Sequence, residues 1–512
     1  MNPVELGIFA SRIEAVCDEM GAQLRRAAFS PNIRDRLDFS CAVFDARGEL
    51  CAQAAHIPVH LGSMAYAMRD LVAAMDWCDG DMVIVNDPFL GGTHLPDITV
   101  IAPLFWGADL MGFVANRAHH ADVGAHSPGS MPISTSLEEE GVIIEPVHLL
   151  RSGALQEAVM QRLLARTRNP IENRGDFSAQ ISANRRGLDR LAALVDGLGR
   201  QTYGDGLLGL NGYAERLARG AIARIPDGVY RFRDVMDDDG LGAVDIPIEV
   251  SITIEGEQAE VDFTATSAQV RGNINCPFSV AAAAVFYVFR CLMPAQTPAC
   301  AGAFRPITLR APVGSLLNAE RPAAVAAGNV ETSSRVVDVV MGALARAVPE
   351  LIPGASHGSM NNLAMGSIEG RPWDYYETMG GGMGAGPRGG GLSAVQTHMT
   401  NTLNTPVEVL EQRFPLRVCR YQIRRGSGGR GLRSGGDGLV RELEFLAPAR
   451  VTLLTERRRH APWGSNGGQP GAPGRNLHNG RELPPKLTLD VAAGDLLTIE
   501  TPGGGGWGSA RP

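Results

Sequence analysis

Met82-Val-Ile-Val-Asn-Asp-Pro-Phe-Leu-Gly-Gly-Thr-His-Leu-Pro-Asp-Ile-Thr-Val-Ile-Ala-Pro-Leu-Phe105 is the most informative stretch of this chain of 512 residues. Its two ends, Met82–Asn86 and Thr99–Phe105, are short apolar runs that read as strands. The loop between them runs from Asp87 to Asp97. Gly91 and Gly92 permit a sharp turn there, and Pro96 stiffens the backbone beside it. His94 and Asp97 therefore project from a short, rigid loop, three residues apart. A further strand, Gly112–Asn116, runs directly into Arg117-Ala-His-His-Ala-Asp122, which places His119, His120 and Asp122 at a strand end. Two histidines and a carboxylate with an open position suit hydrolytic zinc, or manganese and iron(II). Turn-forming polar residues beside a hydrogen-bonded histidine pair would look the same, so spacing alone leaves both readings open.

Outward from this loop the pattern is mixed. Asn2-Pro3 is an N-cap and first-turn pair for a helix over Val4–Ala28. Asp38–Asp45 alternates like a strand, and His60–Met75 has helical period. Gly175 to about Arg224 reads as a charged helical pair. Val229–Met236, Ile246–Ile254 and Ala259–Thr266 read as consecutive antiparallel strands, and Phe278–Met293 and Ser334–Val348 as apolar helices. Beyond Gly354 the chain is glycine-rich, with 62 glycines in all, set among short strands and turns. That context predicts packed β structure. The expected class is α+β (mixed α/β), since no repeated βαβ pattern predicts a doubly wound sheet. The expected regions are 1–170 (metal loop), 171–350 (helical hairpin, antiparallel strands, apolar helices) and 351–512 (glycine-rich, mostly β).

Composition narrows the function. A hydrophobic fraction of 44% and a charged fraction of 20% are ordinary for a globular protein. A net charge of −8 gives no electrostatic footprint for nucleic acid. The eight cysteines form no CxxC pair. The weakly polar stretch Phe278–Pro294 is interrupted by Arg290 and is too short to span a bilayer comfortably. With no signal-peptide pattern at Met1, a cytoplasmic address without membrane contact is expected. Lys486 is the single lysine among the 47 basic residues, and it lies outside any GxxxxGK[ST] motif, so no Walker lysine is present. Ser130 lacks the GxSxG elbow of a serine hydrolase.

The segments Asn86–Ile98, His119-His-Ala-Asp-Val-Gly124, Arg271–Pro277, Gly328-Asn-Val-Glu-Thr-Ser-Ser-Arg-Val-Val-Asp338, Tyr376–Gly382, Thr397–Thr402 and Thr501–Gly508 together resemble the hydantoinase B/oxoprolinase family, in order and over essentially the whole chain. The resemblance implies a B-type subunit of an ATP-dependent cyclic-amide hydrolase, a hydrolase acting on C–N bonds. Its expected partner is a hydantoinase A-type, actin-like ATPase subunit, in a hetero-oligomer, which uses ATP to phosphorylate the carbonyl oxygen of a lactam or hydantoin. This chain is then expected to hold a divalent transition metal (zinc or manganese, with iron a third option) and to complete the hydrolysis. Residue by residue, His94, Asp97 and His119 match the ligand positions, with Asp38 as a fourth. Adjacent strand residues face opposite ways, so one histidine of the pair ligates, assigned to His119. His120 and Asp122 are the expected proton acceptors. His60, Asn86, Asp87 and His398 are expected around the metal or the substrate, and His56 beside them is either a supporting residue or a buried one. Replacing the ligands should leave the fold intact if they lie on a loop.

The resemblance departs at Cys300, His357, Gln396 and Gly390, where the family usually carries asparagine, glutamine, histidine and a nearby aspartate. Two other readings share the resemblance: a subunit of an acetone- or acetophenone-type carboxylase, and a non-catalytic scaffold for the ATPase subunit. The intact His94–Asp97–His119 set counts against the scaffold.

Overall fold

The computed structural model describes residues 1–54 and 56–509. Its mixed α/β architecture is built on a seven-stranded antiparallel sheet whose strands are β1 (Phe39–Asp45), β2 (Leu50–Gln53), β3 (Met82–Val85), β4 (Asp97–Trp106), β5 (Asp109–His119), β6 (Val147–Arg151) and β7 (Ala154–Leu155). Their order is β2-β1-β5-β4-β3-β6-β7. Both faces are covered, which explains why the central strands read as nearly continuous apolar runs rather than alternating ones. Cys41, Val43, Ile84, Val100 and Val114 pack with the helices Pro3–Ala27 and Pro170–Leu198. Ala42, Phe44, Ile101, Phe113 and Ala115 pack with the helix Pro58–Ala73. The first helix begins as its sequence dictates: Asn2 Oδ1 accepts from Val4 N and Glu5 N, and Glu5 accepts in return from Asn2 N.

The second layer holds the strands Gly228–Asp238, Val244–Glu255, Gln258–Asp262 and Ile307–Arg310, a four-stranded sheet. The apolar helices Phe278–Leu292 and Ser333–Leu344 share one large core with its strands. The polar residues of the second helix are not solvent-facing. Arg335 pairs with Glu456 at 3.1 Å, Asp338 with Arg457, and Glu456 in turn with the lone lysine, Lys486, at 2.5 Å. That buried network ties this helix to the C-terminal β structure. The glycine-rich segment is ordered, as its context predicted: strands between Asn362 and Glu500 form a four-stranded and a five-stranded sheet over a common core. Among the described residues no helix is long and apolar enough to cross a membrane.

Asp374, at the start of one of those strands, reaches back to the N-terminal half. Its Oδ1 accepts from Gly129 N at 2.9 Å and from Arg168 at 3.1 Å. Burial, reinforced by the nearby Asp122 charge, pushes its carboxyl up to about 7 against the pull of Arg168. Between the unfolded carboxylate pKa of about 4 and this value the folded state holds a proton that the unfolded state has lost, so stability falls as pH rises through that window. From pH 5.5 to 7 the expected loss from this group is ~2 kcal/mol. Urea unfolding at both pH values, in wild type and in Asp374→Asn, checks it: the variant should show a flatter pH dependence by that amount.

Candidate metal centre

The loop from Asn86 to Asp97 is held from beneath by its own side chains. Asn86 Nδ2 donates to Leu95 O and Val142 O, while its Oδ1 accepts from Ile144 N. Asp87 accepts from Phe89 N and pairs with Arg321. The turn demands glycine at position 92, where a Cβ would stand 2.3 Å from Asn86 O. Arg117, fully buried, clamps the loop to the Pro58–Ala73 helix by donating to Gly91 O, Ser63 Oγ and Thr99 Oγ1. Asn86 and Asp87 are therefore braces for the loop.

Strand pairing then makes the cluster. In the antiparallel β4–β5 ladder Asp97 stands directly opposite His119, so both side chains share the face covered by the Pro58–Ala73 helix. His94 Nε2 lies 3.2 Å and His119 Nδ1 3.1 Å from Asp97 Oδ1. One ligand atom from each of the three residues lies within 4.8 Å of the others. Asp97 Oδ2 faces the other way and is saturated, by Thr93 Oγ1 at 2.6 Å, His60 Nε2 at 3.2 Å and Asn329 Nδ2 at 3.2 Å. All three cluster residues are buried.

The protonation pattern fits a cation. His94 Nδ1 lies 3.1 Å from Ala326 O, and a carbonyl only accepts, so the ring proton sits on Nδ1 and the Nε2 lone pair points at the cluster. That nitrogen has no hydrogen-bond partner although a carboxylate oxygen lies beside it, and His119 Nε2 is unpartnered too. The free His94 Nε2, the Asp97 carboxylate and His119 together offer donors of the kind that hold a divalent metal, which would take the place of the proton that Asp97 Oδ1 accepts from His119 Nδ1. Burial alone would depress His94, but the charge and hydrogen bond of Asp97, with the Ala326 carbonyl and the Glu140 charge, together raise its pKa. Burial also disfavours an ionised Asp97, yet His60 and His94 hold it well below the usual carboxylate range. His119 is lowered by burial, so it is neutral, as a ligand must be.

The structure does not bring every expected residue here. His120, one residue on from the strand end, faces the opposite side, stacks on Phe177 at 4.8 Å and has its Nε2 3.1 Å from Gln180 Oε1. Asp122 binds the backbone N–H groups of Gly124, Arg168 and Asn169. Neither reaches the cluster, so the expectation that they take a proton there does not fit the geometry; alternation along β5 and a turn at its end put them elsewhere. Asp38 stands on the adjoining strand edge, its backbone carbonyl accepting from His119 N, but its carboxylate faces Arg36 at 3.7 Å and lies outside the three-residue set. His60 is a direct neighbour of Asp97, with Ser40 Oγ 3.3 Å from its other ring nitrogen. Thr93, Asn329 and Tyr376, whose ring stacks on His119 at 4.5 Å, are not singled out by spacing. Thr93 and Asn329 lie inside the segments that carry the family resemblance, but nothing in one sequence says that residue 329 meets residue 97. The loop expectation also changes: the ligands are buried, so removing one disturbs the interior.

Replacing His119 and His120 separately by alanine should split them. His119→Ala should lose metal affinity by more than the ~10–100-fold typical of losing an outer partner, while His120→Ala keeps its metal. Elemental analysis after dialysis reads the difference, and metal retained in His119→Ala with loss in His120→Ala reverses the assignment.

A cavity of about 710 Å³ lies across the first turn of the Pro58–Ala73 helix from the cluster. Pro58 and Gly62 line it, and His60 between them points to Asp97. His398 is in its wall, with Tyr287 OH 3.3 Å from Nδ1, and so is His56, which burial and then His60 push down to about 4. Of the four departures, Gln396 lines this cavity and Gly390 lines a neighbouring one; His357 is buried, and its pKa is lowered by that burial and then by the His398 charge; Cys300 follows the wall residue Ala299.

Comparison with known proteins agrees with the resemblance. A family model described as hydantoinase B/oxoprolinase matches residues 2–510. The chain is 41% identical to 5-oxoprolinase 1 of Arabidopsis thaliana over 99% of its own length, but spans only 42% of that protein. It is 32% identical to a putative D-/L-hydantoinase B-type subunit of a Pseudomonas species, covering 99% of this chain and 90% of that one. The crystal structure of the ATP-dependent caprolactamase from Pseudomonas jessenii superposes with a TM-score of 0.93 at 26% identity, over 100% of this chain and 92% of that one.

Proposed function

This chain belongs to the hydantoinase B/oxoprolinase family, and from that premise we propose that it is the metal-holding B-type subunit of an ATP-dependent cyclic-amide hydrolase. Its substrate would be a lactam or hydantoin whose carbonyl oxygen is phosphorylated by an A-type ATPase subunit. The observation that carries this reading is the convergence of His94, Asp97 and His119 in a buried set with two unpartnered imidazole nitrogens. It is supported by relatives whose names refer to cyclic-amide hydrolysis, one of them a separate B-type chain of nearly the same length.

An unactivated amide resists water because resonance stabilises it, and phosphorylating its oxygen supplies a better electrophile and a leaving group. His94, Asp97 and His119 would hold a zinc, manganese or iron(II) ion, which contributes Lewis acidity toward water or the substrate oxygen. The rest of the centre prepares those ligands. Ala326 O fixes the His94 tautomer. Thr93, His60 and Asn329 occupy Asp97 Oδ2 and so direct Oδ1 to the cluster. Tyr376 closes the far side of His119 and keeps water from it. With His120 and Asp122 facing elsewhere, His60, which touches Asp97 and is not itself a ligand, is the residue that would carry the proton in this reading.

The purified chain should neither bind ATP nor open a lactam unaided, and should do so only with an A-type partner. Calorimetry with ATP on the chain alone, and an ATP-coupled ring-opening assay with and without partner, test the division of labour. Micromolar ATP binding by this chain, or ring opening without the partner, would sink it.

A further inference from the structure

Glu331 is fully buried, yet among the described residues it forms no ion pair. Arg335 and Lys486 of the nearby network both go to Glu456 instead. Glu331 Oε1 accepts from Met360 N at 2.8 Å and from Asn362 Nδ2 at 2.7 Å. Asn362 Nδ2 also donates to Leu454 O at 2.7 Å, and because a carbonyl only accepts, this bond fixes which end of the amide is nitrogen. Asn362 Oδ1 then accepts from the Tyr376 hydroxyl at 2.7 Å. The Tyr376 ring in turn stacks on His119, with 4.5 Å between centroids and 16° between planes. A continuous line of contacts runs from Glu331 through Asn362 and Tyr376 to His119, and every member of it is buried.

The same turn reaches the centre a second time. Asn329, two residues before Glu331, donates to Asp97 Oδ2 at 3.2 Å. Gly328–Thr332 is one π-helical turn leading into the Ser333–Leu344 helix, a wide turn of the kind found mostly where side chains are set for a function. Both its ends are strapped to the chain just before the Phe278–Leu292 helix. Gly328 N donates to Asn273 O at 3.1 Å and Thr332 Oγ1 to Ile274 O at 2.5 Å, and a Cβ on Gly328 would stand 1.8 Å from Asn275 O. We infer that Glu331 is a positioning residue of the metal centre: it holds Asn362 so that the Tyr376 ring stays against His119, while Asn329 on the same turn holds Asp97. What it supplies is an acceptor rather than a charge. Burial and then the Glu456 charge push its carboxyl up to about 7, and a protonated carboxyl keeps a carbonyl oxygen that accepts both bonds. The inference rests on the metal-holding reading above and adds a residue that bonds to none of the three ligands.

Titration of the full metal-free chain with cobalt(II), followed by its visible absorption, tests it. Glu331→Ala should bind cobalt about tenfold more weakly, the low end of the cost of losing an outer partner of a ligand, and with a shifted spectrum. Glu331→Gln keeps the acceptor and should restore both. Val337→Ala, on the same helix and equally buried but in the apolar core, measures general loosening and should match wild type in affinity and spectrum. Tyr376→Phe keeps the stacked ring and removes only its hydroxyl. It should shift the spectrum as Glu331→Ala does, and adding Glu331→Ala to it should cost little more. Because it leaves the core filled, it decides the question if Glu331→Ala does not fold. Wild-type affinity and spectrum in Glu331→Ala or in Tyr376→Phe, no restoration by Glu331→Gln, or an equal shift in Val337→Ala would each overturn the assignment. Cobalt binding that ignores Glu331 removes this assignment alone, whereas a wild-type chain that binds no cobalt removes the metal centre and this assignment together.

Discussion

Asp97→Ala should lose its bound metal and a large part of its stability together. Metal content after purification should fall from about one ion per chain to background. The fall in stability should be ~3–5 kcal/mol, the range for breaking a buried charged pair. The reason is the number of groups that depend on this one carboxylate. Oδ1 faces His94 and His119, and Oδ2 accepts from Thr93, His60 and Asn329. Removing it leaves buried donors and imidazoles with nothing to face, in a place where no water reaches. His94→Ala should empty the site as well, at a smaller cost to the fold, because only the Ala326 carbonyl loses a partner. Elemental analysis and urea unfolding read the two effects. Full metal occupancy in either variant would remove these residues from the ligand set, and an unchanged unfolding midpoint in Asp97→Ala would show that the hydrogen bonds around it contribute little.

Gly504→Ala should fail to fold. A Cβ there would lie 2.1 Å from Met383 O and 2.3 Å from Met383 C, both backbone atoms that cannot rotate away. The neighbouring glycines are placed in the same way. Gly503 N donates to Ala472 O, Gly504 N to Gly436 O, Gly505 N to Ala355 O and Gly506 N to Gln469 O, so four consecutive residues bind three separate segments. The expected loss exceeds ~4 kcal/mol, beyond the ordinary range for a point substitution. Gly220→Ala is the control: it is exposed near the end of the Arg200–Ile222 helix with nothing within 4 Å of its added Cβ, and should stabilise by ~0.5–1 kcal/mol. Soluble expression and thermal unfolding of the two variants compare them, and a Gly504→Ala chain that melts like wild type would refute the backbone-packing account.

Local features of the sequence were the legible ones. The first helix starts where Asn2-Pro3 places it, at Pro3. The helical pair expected over 175–224 is the pair Pro170–Leu198 and Arg200–Ile222, divided at Gly199, whose φ of 78° favours glycine. The three central strands came out antiparallel and in order. These depend on caps, period and turn residues within a few positions of one another, which a single chain displays directly. The ligand loop was legible for the same reason, since two glycines and a proline leave its backbone few choices.

The metal centre divides along a different line. That His94, Asp97 and His119 are candidate ligands at a rigid loop and a strand end, with Asp38 a fourth, could be read from residue types, spacing and family resemblance. That Asp97 and His119 face each other, and that His120 faces a helix instead, follows from the β4–β5 register, in which one residue of slip would exchange the two histidines. The second half of the centre comes from far along the chain: Ala326 and Asn329 meet the loop across 232 positions, and Tyr376 arrives from another sheet. Such contacts are set by how whole layers pack, and packing depends on the summed shape and burial of many side chains rather than on any local signal. The residue types, the loop and the helices were determined by the sequence itself; which nitrogen carries a proton, which carboxylate oxygen is free and which histidine reaches the cluster were decided only when the layers came together.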